Sequence, residues 1–303
     1  MRPERNRNIS LIGVPIDLGA DRRGVDMGPD AIRSAGVLHK LEQLGYVVHD
    51  QGNLTVSRKA LEQAATGEKL KYLAETITVN AKLAKMTADE MGRGRFPLAL
   101  GGDHSMAIGT VKGVLHHIDR LGLLWFDAHC DANTAETTPS GNIHGMPLAV
   151  CLGYGHELLT GIGGRKRKIR PENVVIIGAR SVDPGERSLL KELGIRVFTM
   201  HDIDRRGMER VMEEALERLA KSDGVHLSFD VDGMDPNDAP GVGTPVMGGV
   251  TYRESHLAME LLSDSGLLVS AEFVEINPVL DDRNKTAKAA VEMIGSVFGE
   301  QIM

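Results

Sequence analysis

The sequence predicts an α/β protein in which helices cover both faces of a parallel sheet. Two observations carry this prediction. Short β-branched or apolar runs alternate with longer segments of helical periodicity, and almost every unusual polar cluster follows directly after one of the short runs. Strands that alternate with helices pair in parallel through right-handed crossovers, which place helices on both faces of the sheet.

Eight short runs are candidate strands, and four longer segments have amphipathic helical patterns. The polar connection at 57–71 is predicted to be a surface excursion or an irregular helix, and nothing in it marks a domain boundary. The candidate strands are NISLIGVP, YVVHDQGN, FPLALGGD, GLLWFDAH, NVVIIGAR, IRVFTM, VHLSFDVD and LVSAEFVEINP. The candidate helices are AIRSAGVLHKLEQLG, MERVMEEALERLAKS, RESHLAMELLSDSG and NKTAKAAVEMIGSVFGE.

Composition and charge exclude several classes of protein. Lys and Arg number 35 against 42 Asp and Glu, a net charge of -7, so the basic footprint of a nucleic-acid-binding protein is missing while a small cationic substrate is compatible. No window approaches the roughly 20 apolar residues of a membrane span, and the N-terminal apolar stretch is too short for a signal peptide. Only Cys130 and Cys151 are present, too few for a disulfide framework, which predicts a soluble cytoplasmic protein.

Polar clusters follow five of the predicted strands. In open α/β sheets, binding sites form outside the carboxyl ends of the strands, so residues that are distant along the chain become neighbours there. We therefore expect these five segments to converge on one crevice. They are GGDHS, DAHCDAN, GARSVDPGE, DVDGMDP and EINP.

Three of these clusters supply the candidate metal ligands. If the backbone of DAHCD is extended, Asp127, His129 and Asp131 share one face, because strand side chains alternate with a period of two. The six candidate ligands named below comprise two imidazoles and four carboxylates. These are too many for one catalytic zinc and indicate a pair of ions. Oxygen-rich ligation favours Mn²⁺, with Fe, Co and Ni left open. The candidate ligands are His104, Asp127, His129, Asp131, Asp230 and Asp232.

Three of these candidate ligands also have a simpler structural interpretation. Alone, His104 is more often the neighbour of a helix cap than a ligand, and Asp230 with Asp232 is more often a turn before Asp-Pro. DAHCD is harder to explain without a cation, because such groups seldom share one strand face unpaired. Cys130 is expected to point to the opposite face as a packed core thiol, and Cys151 is also expected in the core.

Together the motifs identify a family. GGDHS, DAHCDANT, SGNIHG, SFDVDGMDP and EINP occur in order, and similarity runs from GVPIDLGADRRGVDMGP to FVEINPVLDDRNKTA. The chain thereby resembles the ureohydrolases and, within them, the arginases. The resemblance implies one arginase-like domain over residues 1–303, a three-layer αβα sandwich with a mainly parallel eight-stranded sheet. It also implies two Mn²⁺ ions per subunit, hydrolysis of L-arginine to L-ornithine and urea, and a homo-oligomer that is a trimer or hexamer.

The resemblance assigns roles to the candidate ligands. One manganese is held by His104, Asp127, Asp131 and Asp230, and the other by Asp127, His129, Asp230 and Asp232. A bridging hydroxide attacks the guanidinium carbon, and Asp131 passes a proton onward. His144 in SGNIHG matches the proton shuttle of the family, although without the resemblance it is better interpreted as a solvent-facing loop histidine.

Substrate contacts also follow from the resemblance. Glu275 in EINP matches the carboxylate that orients the guanidinium, and Thr244 is expected in the same pocket. Asp183 matches the acid that meets the α-ammonium, with Glu186 behind it. The loop that binds the α-carboxylate, which agmatine lacks, is matched by Asn133, Thr138, Ser140 and Asn142.

Two positions depart from the family pattern, and two rival functions remain open. Cys130 stands where a small residue is usual and Ala132 where a branched aliphatic is common; neither removes a ligand, but both bear on metal affinity. The rivals are hydrolysis of agmatine, guanidinobutyrate or a related compound, and a non-catalytic metal-binding subunit. A dinucleotide site is excluded because no G-x-G-x-x-G follows the first strand. The basic segment GGRKRKIR is a candidate contact region between subunits.

Overall fold

The chain forms one eight-stranded sheet in the computed structural model, which describes residues 7–57, 69–164 and 167–300. The predicted α/β class and the eight predicted strands are confirmed, and every neighbouring pair of strands is parallel. The strands are β1 Asn8–Val14, β2 Val47–Asn53, β3 Phe96–Gly101, β4 Leu121–Phe126, β5 Val174–Ala179, β6 Arg196–Thr199, β7 Gly224–Asp230 and β8 Leu268–Val274.

The strand order explains which runs are purely apolar. From edge to edge it is β2-β1-β3-β8-β7-β4-β5-β6. Strands β3, β4, β5 and β7 are buried along their whole length, as expected for parallel strands with helices on both faces. Strand β2 lies at an edge and is mostly exposed or half-buried, which explains its polar VVHDQGN sequence.

Eleven α-helices occur among the described residues. The predicted helix at 31–45 is two helices, because Ala35 and Gly36 interrupt it and Gly36 has a φ of 97° in the left-handed region. They are α1 Gly28–Ser34, α2 Val37–Gln43, α3 Leu73–Gly92, α4 Ala107–Val114, α5 Pro147–Leu152, α6 Glu157–Thr160, α7 Pro184–Glu192, α8 Met200–Arg206, α9 Met208–Leu219, α10 Tyr252–Ser265 and α11 Lys285–Val297.

Helices pack on both faces of the sheet. Helices α9, α10 and α11 cover one face with residues such as Met212, Leu262 and Ile294, and α3, α4 and α5 cover the other. The other three predicted helices correspond to α9, α10 and α11, so those predictions are confirmed. No helix within the described ranges is both long and apolar enough to cross a membrane.

Two predictions fall wholly or partly outside the described residues. The segment at 57–71, predicted as a surface excursion or irregular helix, lies mostly in the undescribed range 58–68. The basic segment GGRKRKIR includes residues 165–166, which are also outside the described ranges. The structure therefore does not test either prediction in full.

Candidate metal centre and substrate cavity

The predicted ligands follow three strands that lie close together in the sheet. Strand β3 is separated from β7 only by β8, and β4 lies on the other side of β7. His104 opens a short 3-10 helix three residues after the end of β3, the DAHCD segment follows β4, and Asp230 ends β7. The parallel arrangement thus brings all six side chains to the carboxyl edge of the sheet.

The expectation of an extended backbone through DAHCD is wrong. Strand β4 ends at Phe126, before the first ligand, and Asp131 has a φ of 49°. This left-handed conformation is uncommon for a residue with a side chain and is found preferentially at functional sites. Bending of the backbone, rather than strand alternation, therefore gathers Asp127, His129 and Asp131.

His104 is at the centre of the first group of donors. Its imidazole is fully buried, and Nδ1 has no hydrogen-bond partner among the described residues. Nδ1 nevertheless lies 3.2 Å from Asp127 Oδ2, 3.0 Å from Asp131 Oδ2 and 3.1 Å from Asp230 Oδ2. A buried imidazole nitrogen within reach of three carboxylates is a set of donor atoms that a divalent cation can bind.

A second group of donors shares Asp127 with the first. His129 Nδ1 lies 3.1 Å from Asp232 Oδ2 and 3.5 Å from Asp127 Oδ1, so the two oxygens of Asp127 face the two histidines separately. Within 4.8 Å, the ligand atoms form two sets, His104 with Asp127 and Asp230, and Asp127 with His129 and Asp232. The donor atoms therefore would fit two cations, one at each set, with Asp127 common to both sets.

The predicted ligand assignment is only partly reflected in these distances. Among the described residues, Asp230 belongs to the first set alone at this distance, and Asp131 belongs to neither set. Asp131 approaches the first set through its contact with His104. Bridging by Asp230 and ligation by Asp131 stay predictions.

Mutual repulsion among the carboxylates perturbs their protonation. Burial and the negative charges of Asp232 and Asp127 raise the pKa of Asp230 well above its ordinary value. Burial and Asp127 raise the pKa of Asp131 to about 6. Burial opposes protonation of His129, but the charge of Asp232 and the contact with Asp127 prevail and raise the pKa of His129 to about 12. The cluster thus favours added positive charge, which divalent cations would provide.

Neighbouring side chains hold the ligands in place. Trp125 stacks on His104 with ring centroids 4.2 Å apart, and its Nε1 donates to Asp127 Oδ2 at 2.9 Å. The guanidinium of Arg180 donates to the backbone carbonyls of Asp232 at 2.7 Å and Gly233 at 3.0 Å. These contacts fix the turns that carry the ligands, as surrounding hydrogen bonds do in metal sites.

A polar cavity opens beside the ligands. It contains every residue that was predicted to bind the substrate except Glu275, together with the predicted ligands that face it. Ser181 was not predicted, although it lies in the polar cluster GARSVDPGE that follows β5. The lining is His129, Asp131, Asn133, Thr138, Pro139, Ser140, Asn142, His144, Gly145, Ser181, Asp183, Glu186, Asp230, Asp232 and Thr244.

Asp183 and Glu186 connect one wall of the cavity to the start of helix α7. Asp183 is the N-cap of this helix, and its Oδ2 accepts a hydrogen bond from Asn133 Nδ2 at 2.9 Å. Glu186 Oε2 accepts from the backbone of Asp183 at 2.8 Å, and Oε1 accepts from the backbone of Ala132 at 2.9 Å. Burial raises the pKa of Glu186 to about 7. Glu186 therefore supports both Asp183 and the segment after Asp131.

Glu275 lies behind His144. Its Oε1 accepts from His144 Nδ1 at 3.1 Å and from the backbone of His104 at 2.9 Å, and its φ of 64° is left-handed. Burial opposes protonation of His144, but the hydrogen bond and charge of Glu275 prevail and raise the pKa of His144 to about 9. The sequence does not reveal the contact between His144 and Glu275, because nothing in SGNIHG or EINP shows that their side chains meet.

The cysteines have the environments expected from the sequence. Cys130 and Cys151 are free thiols with 0% exposure in one apolar cluster, so both core predictions are confirmed. Ala132 belongs to the same cluster and is 1% exposed. The two departures from the family pattern therefore concern packing behind the ligands.

Comparison with known proteins identifies the family. The sequence profile of the arginase family matches residues 7–299. The arginase of Bacillus caldovelox is 58% identical over 296 residues, which are 97% of this chain and 99% of that protein.

The chain belongs to the arginase family. The solved structure of the Bacillus caldovelox arginase covers 100% of both chains with a TM-score of 0.95 at 57% sequence identity. The arginase of Entamoeba histolytica, solved in complex with L-ornithine, covers 98% of this chain and 100% of that one with a TM-score of 0.90 at 35% identity. The predicted arginase-like fold is confirmed, and the chain is a hydrolase of this family.

Proposed function

We propose that the chain hydrolyses L-arginine to L-ornithine and urea at a centre of two Mn²⁺ ions. The observation that carries this proposal is the pair of three-residue donor sets that share Asp127 beside a cavity lined by hydroxyl, amide and carboxylate groups. When bound, a pair of divalent cations supplies the Lewis acidity that brings the pKa of a coordinated water molecule towards neutrality. Oxygen-rich ligation favours Mn²⁺ over softer ions.

The cavity walls have complementary roles towards an amino acid with a guanidinium group. Asp183, held by Asn133 and by the helix cap, offers a carboxylate to the α-ammonium. The hydroxyl and amide groups of Thr138, Ser140 and Asn142 offer donors to the α-carboxylate. An agmatine-specific cavity would not need these donors, because agmatine has no carboxylate.

The reacting end is served by residues that hold or move protons. Asp131 lines the cavity next to the first donor set, which supports a role in taking a proton from the water that attacks the substrate. His144 is 18% exposed, and protonated at neutral pH it can deliver a proton to the departing amine. Glu275 orients the imidazole of His144 through Oε1. This leaves Glu275 Oε2 for the planar donors of the substrate guanidinium.

The test is turnover by the protein loaded with Mn²⁺. Release of urea and ornithine from L-arginine, with a higher kcat/KM than for agmatine or guanidinobutyrate, is the expected result. Better turnover of agmatine would replace this proposal with the alternative ureohydrolase. Stoichiometric metal binding without turnover of any guanidino compound would support the non-catalytic subunit.

The assembly and location of the chain belong to the same proposal. One sheet whose strands come from residues 8–274 supports the proposal of a single domain over residues 1–303. Two free, buried thiols support a reducing compartment such as the cytoplasm. A trimer or hexamer rests on the family resemblance alone, and size-exclusion chromatography with light scattering tests it, since a monomer would refute it.

A further inference from the structure

A ladder of polar side chains lies in the interior between strands β7 and β8, behind His104. His226 faces Ser270 and Ser228 faces Glu272 in the register of these two parallel strands. All four residues are buried, with at most 1% exposure. Burial of polar groups costs free energy unless they are hydrogen-bonded, so these four side chains are expected to have specific partners.

Hydrogen-bond directions in the ladder are set by Glu272. Ser228 Oγ donates to Glu272 Oε1 at 2.6 Å, and Thr110 Oγ1 donates to Oε2. Burial opposes ionisation of Glu272, but the nearby imidazoles of His226, 3.4 Å away, and His104, together with the hydroxyl of Ser228, prevail and hold its pKa below the ordinary value. An ionised carboxylate only accepts hydrogen bonds. The single hydroxyl proton of Ser228 is therefore committed to Glu272.

This commitment determines the tautomer of His104. Ser228 Oγ lies 2.8 Å from His104 Nε2 and, having no second proton, can only accept there. The proton of a neutral His104 ring is thus on Nε2, and the lone pair is on Nδ1. Nδ1 is the atom that faces the three carboxylates of the first donor set. Metal-binding histidines commonly have their other ring nitrogen fixed in this way.

We propose that Glu272, acting through Ser228, is a positioning residue that fixes the Nδ1 lone pair of His104 towards the first donor set. It thereby sets the affinity of that set for its cation. The inference rests on the metal centre of the proposed function. Neither Glu272 nor Ser228 lines the substrate cavity among the described residues, so their effect is on cation binding rather than on substrate contact.

The test measures Mn²⁺ binding to cation-free protein by titration calorimetry. In Ser228→Ala, affinity for one of the two ions is expected to fall by about 10- to 100-fold, while affinity for the other changes less than about threefold. Glu272→Gln, which keeps the size of the side chain but removes its charge, is expected to weaken the same ion by about tenfold or more. At saturating Mn²⁺, KM for L-arginine is expected to stay within about twofold of the wild-type value.

Ser270→Ala is the matched control. Ser270 belongs to the same ladder and is buried to the same degree, but its hydroxyl contacts His226 rather than Ser228. Both Mn²⁺ affinities should remain within about twofold of wild type in this variant. An equal loss in Ser270→Ala would indicate a general packing defect and would overturn the proposal. Unchanged affinities in both Ser228→Ala and Glu272→Gln would overturn it as well.

A measurement on the wild-type protein covers the case in which a variant does not fold. Nitrogen-15 spectra of the zinc-loaded protein should show His104 with a hydrogen-bonded proton on Nε2, and ligation through Nε2 would refute the tautomer assignment. Failure of the proposed function has a different outcome: wild-type protein that binds two Mn²⁺ ions but releases no urea. Wild-type protein that binds no cation would refute both proposals.

Discussion

Glu90 on helix α3 and Asp230 at the end of strand β7 are both buried carboxylates, with 1% and 2% exposure, but their surroundings differ. Glu90 accepts hydrogen bonds from Ser10 Oγ at 2.6 Å and Arg95 at 2.7 Å, and it also pairs with Arg93. These partners prevail over burial and lower the pKa of Glu90. Asp230 has two further carboxylates nearby, and its pKa is raised.

The comparison distinguishes buried acids whose charge is balanced by residues of the chain from acids whose charge the chain leaves unbalanced. The charge of Glu90 is balanced by residues of the chain itself, as buried charges in proteins generally are. The aspartates after β4 and β7 face one another and two imidazoles, so the chain alone leaves excess negative charge at the carboxyl edge of the sheet. Experiments that remove charge in one region and not in the other test this distinction.

The largest expected effect is on activity, from substitutions of candidate ligands at the carboxyl edge of the sheet. Asp131→Asn and His129→Asn are each expected to lower kcat/KM for L-arginine by about 10²- to 10⁴-fold, because they remove a proton acceptor or a ligand. Asparagine tolerates the left-handed backbone at Asp131, so the fold should persist. Urea release measures the loss, and Asp89→Asn on exposed α3 surface is the control. Activity within about threefold of wild type in both site variants would contradict the proposed centre.

Removal of the cations is expected to destabilise the protein. Ions held at 100 times their dissociation constant would stabilise the folded state by about 2.7 kcal/mol per site, which a chelator removes. Denaturant unfolding with and without chelator measures the change. Glu90 lies on helix α3 and is not a candidate ligand. Glu90→Gln should therefore show the same chelator effect as wild type. Identical unfolding curves with and without chelator would contradict cation binding.

Loss of the charge at Glu90 is expected to cost stability without affecting chemistry. Glu90→Gln leaves Arg95 without its carboxylate partner and should lower the free energy of unfolding by about 1–3 kcal/mol. The neighbouring Asp89→Asn removes an exposed pair with Lys85 and should cost less than about 1 kcal/mol. Denaturant unfolding compares the two variants. A larger loss in Asp89→Asn than in Glu90→Gln would reverse the expected order.

The smallest expected effect is a change in the acid dependence of stability. Because the pKa of Glu90 is lowered from 4.5 in the folded state, its ionised form contributes stability above about pH 4.5, and this contribution is lost as pH falls through the folded pKa. Glu90→Gln should therefore lose less stability than wild type between neutral and acidic pH. Unfolding measured across this range tests the sign, and a steeper acid loss in the variant would contradict it.

Local sequence patterns were sufficient to predict the sheet and to place the candidate ligands at its carboxyl edge. Apolar runs that end in GGDHS and SFDVD place His104 and Asp230 at strand ends, and parallel strands bring such ends together wherever the sheet order makes them neighbours. The same patterns did not predict the backbone of DAHCD. Its conformation is held by contacts from distant parts of the chain: Ala128 N donates to Asp232, and the following residue Ala132 donates from its N–H to Glu186.

Contacts between distant strands were also beyond the sequence. The alternating polar residues of VHLSFD show that His226, Ser228 and Asp230 share a face, but not that Ser228 meets Glu272. That meeting depends on strand register and on the order of strands in the sheet. Likewise, Glu275 was predicted to contact substrate from its motif, whereas its contact with His144 depends on how the SGNIHG loop folds over the end of β8.

Left-handed backbone at Asp131 and Glu275 bears on how freely the chain can change over generations. Glycine would adopt either conformation with less strain, by about 1 kcal/mol or more. Replacement of either residue by glycine would thus relieve backbone strain while removing a side chain to which we assign a role in the proposed reaction.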